Sequence, residues 1–144
     1  VHIGFTGTRN GMTPEQQTRV SLLLLELGAT DLHHGDCTGS DDQMDQIACE
    51  LGIGVCVHPP LNPLHRAWCH TRPHDADFLM YEPNPYLHRN RAIVDATEGL
   101  VATPKTMAET TRSGTWSTIR HALRRGVPVW IVRPDGSVKF RGPK

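Results

Sequence analysis

His2-Ile3-Gly4-Phe5-Thr6-Gly7-Thr8-Arg9 opens the chain as a short apolar strand, His2 to Thr6, that runs straight into a glycine turn. Two more glycine turns follow, Gly35-Asp36-Cys37-Thr38-Gly39-Ser40-Asp41 and Ser113-Gly114-Thr115-Trp116, each ahead of a helix-like pattern. Glycine lets backbone N–H groups approach an anion, and a helix that begins directly afterwards adds the positive end of its dipole. Three such turns describe a nucleotide pocket if they meet at one sheet edge.

Working outward, Thr13 is a helix cap with Pro14 at the first helical position and Gln16 three residues on; the helix runs to Leu27 and Gly28 stops it. Thr30 to His34 reads as a second strand, Ser40 to Leu51 as a helix closed by Gly52, and Gly54 to His58 as a third strand halted by Pro59-Pro60. The irregular stretch up to Asn84 is too long for an idle connection and predicts a flap over the ligand. On that reading Trp68 or Tyr81 stacks on a base, and Asp75, Asp77 or Glu82 lies near it. A helix from Tyr86 carries Arg89-Asn90. A strand follows at Gly99 to Thr103, then a polar loop at Pro104 to Arg112, a helix capped by Ser113 and a last strand at Val127 to Val132. This alternation predicts a single α/β, Rossmann-like domain over residues 1–144, a parallel sheet of about five strands with helices on both faces. Right-handed crossovers then bring every post-strand turn to the same edge.

Fifteen Lys and Arg balance fifteen Asp and Glu, so the formal net charge is zero. That disfavours a protein that lives on nucleic-acid backbone, which needs many cationic contacts. The basic segment from Arg133 to Lys144 reads as a solvated tail at least as well as it does a binding arm. Four cysteines without a Cys-x-x-Cys pair, no apolar span and no secretory leader point to a reducing cytoplasm and no membrane. The run Leu22 to Leu25 is apolar nearly all round its helix, which predicts a homodimer or larger homo-oligomer.

Thr6, Gly7, Thr8 and Arg9 are candidates to hold phosphate, Arg9 above all because its planar fork suits that group. Gly35, Asp36, Gly39 and Asp41 are placed to meet ribose hydroxyls, although Asp36 and Asp41 equally suit a turn and a helix cap. Arg89 and Asn90 reach the same edge from a helix, and Ser113, Gly114 and Thr115 form an anion site at a helix start. If the pocket cleaves an N-glycosidic bond, a carboxylate must assist, and Asp36, Asp41 and Glu109 are the candidates. Cys37 has no partner base, and the His65–Asp77 segment matches no standard zinc pattern, so neither a metal nor a cofactor is expected.

Taken together, Gly4-Phe5-Thr6-Gly7-Thr8-Arg9, His34-Gly35-Asp36-Cys37-x-Gly39-x-Asp41, His58-Pro59-Pro60, Arg89-Asn90 and Ser113-Gly114-Thr115-Trp116 resemble the SLOG superfamily from about residue 2 to residue 136. This group includes the Lonely Guy phosphoribohydrolases, the DprA/Smf DNA-uptake proteins and small stand-alone nucleotide-binding members. The resemblance implies a nucleotide or nucleotide-derived ligand over the sheet edge and often a homodimer. It leaves catalysis open, because Thr118 stands where Lonely Guy enzymes carry a catalytic glutamate. The expected function is binding of a nucleotide or nucleotide-derived metabolite at the sheet edge, with hydrolysis of the N-glycosidic bond of a nucleoside monophosphate left open; a non-catalytic nucleotide sensor and, behind it, a single-stranded DNA-binding module are the alternatives.

Overall fold

The computed structural model describes residues 1–142. Strands and helices follow in the order β1 (His2–Gly7), α1 (Pro14–Glu26), β2 (Asp31–His34), α2 (Ser40–Leu51), β3 (Gly54–Val57), β4 (Phe78–Met80), α3 (Tyr86–Asp95), β5 (Gly99–Thr103), α4 (Gly114–Arg124), β6 (Val129–Val132) and β7 (Val138–Arg141). They build one sheet in the order β4-β3-β2-β1-β5-β6-β7. All its pairings are parallel except that of β6 with β7.

The sheet has seven strands rather than the expected five or so. Both additions are edge strands too short or too polar to signal themselves. β4 is three residues long inside the irregular stretch and forms because β3 offers a free edge, pairing Val55 with Phe78 and Val57 with Met80. β7 turns back on β6 through Asp135, whose Oδ1 accepts the Ser137 N–H at 2.9 Å, and Gly136, at φ +85°. The segment read as a solvated tail is therefore an edge strand as far as Arg141, its charged side chains blunting the edge. Residues 143 and 144 lie outside the described residues.

Strand alternation sorts the core onto two faces. Ile3, Phe5, Leu32, Val55, Val57, Val101 and Val132 meet Val20, Leu23 and Leu24 of α1 and Met44, Ile47 and Ala48 of α2. Leu100, Ala102, Val129 and Ile131 meet Val94 of α3 and Trp116, Ile119 and Ala122 of α4. Within the Leu22–Leu25 run, Leu23 and Leu24 are buried while Leu22 and Leu25 remain 47% and 59% exposed. The helical period turns half the run inward, so the apolar excess behind the expected oligomer shrinks to two side chains.

The capping pattern at the start of α1 forms as read. Thr13 accepts the Gln16 N–H through its hydroxyl at 3.1 Å, and Gln16 Oε1 accepts the Thr13 N–H at 2.9 Å. The buried Gln16 amide also donates to the carbonyls of Pro104 and Val132, both at 2.9 Å. One side chain thus caps a helix and ties it to the ends of β5 and β6. No helix among the described residues is long and apolar enough to cross a membrane.

From β1 the chain winds outward through β2, β3 and β4, then crosses back to β5 on the other side of β1. Ligands of open α/β sheets bind where the winding reverses, outside the carboxyl ends of the strands. Here that point lies between β1 and β5.

Candidate functional site

A cleft of about 530 Å³ opens at that point. β1 and its turn contribute Phe5 to Asn10, the second turn contributes Gly35, Cys37 and Asp41, and α3 contributes Tyr86, Arg89, Asn90 and Ile93. Lys105, Thr106, Thr110 and Arg112 come from the loop after β5, and Ser113, Gly114 and Thr115 from the start of α4. All the expected ligand residues line it except Asp36 and Gly39. Its volume falls in the ordinary range for a small-molecule site.

Gly39 acts one step back, as the N-cap of α2 at φ 86° and ψ −120°. That conformation lets Ser40 N–H donate to Thr8 O at 3.0 Å while Gly11 N–H donates to the same carbonyl at 3.2 Å. The first glycine turn is thereby held on the second. Thr8 Oγ1, buried at the cleft, has no hydrogen-bond partner. Ser113 caps α4 by accepting the Trp116 N–H at 3.3 Å. Gly114 and Thr115, in the first helical positions, have amides with no acceptor within the helix.

Arg89 is a buried cation. Its guanidinium donates to the Gly35 carbonyl and, through Nε, to Asn90 Oδ1 at 2.7 Å; both its terminal nitrogens stand 3.7 Å from Cys37 Sγ. Among the described residues Arg89 forms no ion pair, and neither do Arg9, Lys105 and Arg112. Asp41 is the one carboxylate in the lining. Its Oδ2 accepts the Cys37 N–H at 3.1 Å. Burial holds the Asp41 carboxyl above the usual carboxylate range against the pull of Arg89 and of the Cys37 N–H. Burial likewise raises the Cys37 thiol, which keeps it protonated and unreactive.

The other two candidate carboxylates stand outside the cleft. Asp36, fully buried at φ 57°, accepts from Arg66 Nε at 2.7 Å and from the Cys69 N–H at 2.9 Å. It is an anchor for the segment between β3 and β4. Glu109 is exposed and pairs with Arg120 at 2.8 Å. Thr118 donates its hydroxyl to Gly114 O at 2.9 Å.

The segment expected as a flap adds no residue to the lining. Trp68 lies beneath the Arg66 guanidinium at 4.0 Å, and Tyr81 stacks on His58 at 4.2 Å. The segment is instead clamped to α2. Arg72 reaches Asp42 and Asp45 at 2.7 Å each, and His74 reaches Asp45 at 3.0 Å. Asp45 also accepts from His34 Nε2 at 2.7 Å. Because His34 Nδ1 accepts the Asp36 N–H at 3.0 Å, that ring is neutral with its proton on Nε2.

Lys105, Arg112 and Tyr86 escaped the sequence reading. The first two sit in the polar loop directly after β5, and the crossover argument that gathered the glycine turns places that loop at the same edge. Tyr86 carries no such signal; it reaches the cleft because α3 begins there, where its ring lies 5.3 Å from the Arg89 guanidinium.

No family model matches the sequence, and no curated protein matches it significantly. Among solved structures, the fold is similar to that of the molybdenum cofactor binding protein from the phototrophic bacterium Rippkaea orientalis. The TM-score is 0.67 at 19% sequence identity, covering 92% of this chain and 76% of that one. It is also similar to DNA processing protein A from Helicobacter pylori, described for its single-stranded DNA binding mode. There the TM-score is 0.66 at 17% identity, covering 91% of this chain and 64% of that one, so the chain spans less than two thirds of that relative. At such identities the likeness is one of fold alone, an α/β domain built on a mostly parallel sheet.

Proposed function

We propose that the cleft binds a nucleotide or nucleotide-derived metabolite, with a phosphate at the start of α4 and the rest of the molecule along β1 and α3. The observation that carries this reading is charge. Arg9, Arg89, Lys105 and Arg112 face a single lining carboxylate, and an anionic ligand supplies the missing counter-charge. The Gly114 and Thr115 amides and the Thr8 hydroxyl add uncharged donors.

Calorimetry of the full chain with nucleoside monophosphates, NAD, ADP-ribose and inorganic phosphate tests the reading. At least one nucleotide is expected to bind, and Arg9→Ala to weaken it by roughly 1.5–3 kcal/mol, the worth of a hydrogen bond to a charged group. Failure of every nucleotide to bind, or an Arg9→Ala variant of unchanged affinity, overturns it. Tight binding of an oligothymidylate in place of the mononucleotides assigns the site to single-stranded DNA, against which the zero net charge argues.

Chromatography of the same mixtures decides whether the site is catalytic. In the catalytic reading Asp41, the one carboxyl in the lining, holds or moves the proton as a glycosidic bond breaks. Where free base is released, Asp41→Asn is expected to slow release about a hundredfold, at the lower end of general acid–base contributions, while leaving binding nearly intact. Tight binding without base release makes the protein a sensor, the outcome consistent with Thr118.

A further inference from the structure

On the sheet face that carries α3 and α4, His33 of β2 pairs with Cys56 of β3, and His2 of β1, two positions from the partner of His33, reaches across to it diagonally, apart from the cleft. The facing ring nitrogens, His2 Nδ1 and His33 Nε2, are 2.8 Å apart, and one donor atom from each of the three residues lies within 4.8 Å of the others. We propose that His2, His33 and Cys56 bind one zinc ion, with the fourth position open to solvent.

The donor set suits this ion. Zinc takes imidazole nitrogen at about 2.0–2.1 Å and thiolate sulfur at about 2.3 Å. Tetrahedral coordination therefore spaces the donors by roughly 3.3–3.7 Å. The two imidazoles separate by about half an ångström on binding, and the thiol closes in.

Each imidazole has the outer partner a ligand needs. His2 Nε2 faces Asp31 Oδ2 at 3.3 Å, and His33 Nδ1 faces His58 Nε2 at 2.9 Å. The two imidazoles share one proton across their 2.8 Å contact; on metal binding it moves to a far nitrogen, where Asp31 or His58 accepts it, and both near lone pairs turn to the metal. His33 and Cys56 are buried, whereas the His2 side chain is 44% exposed, which gives an ion a way in. On binding, the Cys56 S–H bond breaks, its proton leaves to solvent, and the sulfur lone pair forms the Zn–S bond. Burial pushes this thiol up to about 11, so the metal must displace that proton.

A second group of donors, Asp45, Cys49 and His74, also gathers within reach of an ion. There Arg72 already sits 2.7 Å from Asp45, occupying the carboxylate and repelling a cation. No ion pair of Arg or Lys touches His2, His33 or Cys56 among the described residues; the charged neighbour there is the Asp31 carboxylate, which favours a cation.

The test titrates untagged, reduced, chelator-stripped full chain with zinc against a competing chelator, and with cobalt(II) as a spectroscopic probe. One ion per chain is expected, with a thiolate-to-cobalt charge-transfer band that Cys56→Ser removes. His2→Ala, a change at an exposed ring that spares the core, is expected to weaken zinc binding about tenfold or more, and Asp31→Asn by roughly ten- to a hundredfold. Absence of binding, unchanged affinity in His2→Ala, or a charge-transfer band lost in Cys49→Ser overturns the assignment. Should Cys56→Ser fail to fold, the His2→Ala titration still decides.

Discussion

Gly39→Ala is expected to cost about 3 kcal/mol of stability or more and to disable the cleft. Two penalties combine. At φ 86° and ψ −120° the backbone occupies a region nearly closed to residues with a Cβ, worth about 1–3 kcal/mol. An added Cβ would also overlap the Arg9 carbonyl and lie 2.9 Å from Gly11 N. These are backbone atoms of the first glycine turn, so no side chain can rotate away; the turn itself must shift, and with it Thr8 and Arg9. The readout is the urea midpoint followed by tryptophan fluorescence, with nucleotide affinity measured on the folded fraction. Gly114→Ala serves as the control, because an added Cβ there meets nothing within 4 Å. Its midpoint should stay near that of the parent. A Gly39→Ala variant as stable as Gly114→Ala would remove the close approach of the two turns from the account.

Asp45→Ala is expected to destabilise the fold by about 3 kcal/mol, the low end for breaking a buried ion pair. The carboxylate is completely buried and accepts from His34, Arg72 and His74. Its loss strands the His34 Nε2–H in the core and releases the segment between β3 and β4 from α2. Asp42→Ala, which removes the half-exposed partner of Arg72, should cost less than about 1 kcal/mol. Equal losses in the two variants would mean that Asp45 holds nothing its neighbour does not.

The same group sets a pH signature. Burial alone would raise the Asp45 carboxyl, but hydrogen bonds from His34 and Arg72 and the nearby charges outweigh it and hold the group down at about 2. A carboxyl lowered on folding contributes stability that is complete above its unfolded pKa, roughly 4, and is lost as pH falls towards the folded value. Urea midpoints should therefore drop between about pH 4 and pH 2 more steeply in the parent than in Asp45→Asn.

How much of this was legible beforehand differs from residue to residue. The capping box at Thr13 and Gln16, the stops at Gly28 and Gly52, and the serine cap at Ser113 are local devices, set by groups within a turn of one another, and all are found where the pattern places them. The convergence of the glycine turns was legible too, since crossover handedness follows from strand twist alone. β4 and β7 were not: β4 has three residues and β7 alternates with charge, so neither carries a buried apolar run and each depends on the edge its neighbour offers. The fates of Asp36 and the 59–84 segment were equally hidden: a carboxylate beside a glycine turn looks the same in sequence whether it faces a ligand or an arginine thirty residues on.

The sequence by itself determined the alternating α/β order, the helix ends and the edge at which the cleft lies, because period, caps and chirality act over a few residues. Only the tertiary structure decided which of the three carboxylates reaches the cleft, that Lys105 and Arg112 join it, and that His2, His33 and Cys56 gather at one place. Those juxtapositions depend on strand register and on which charged groups find each other when β1, β2, β3 and β5 pack side by side, and local sequence does not encode that distance.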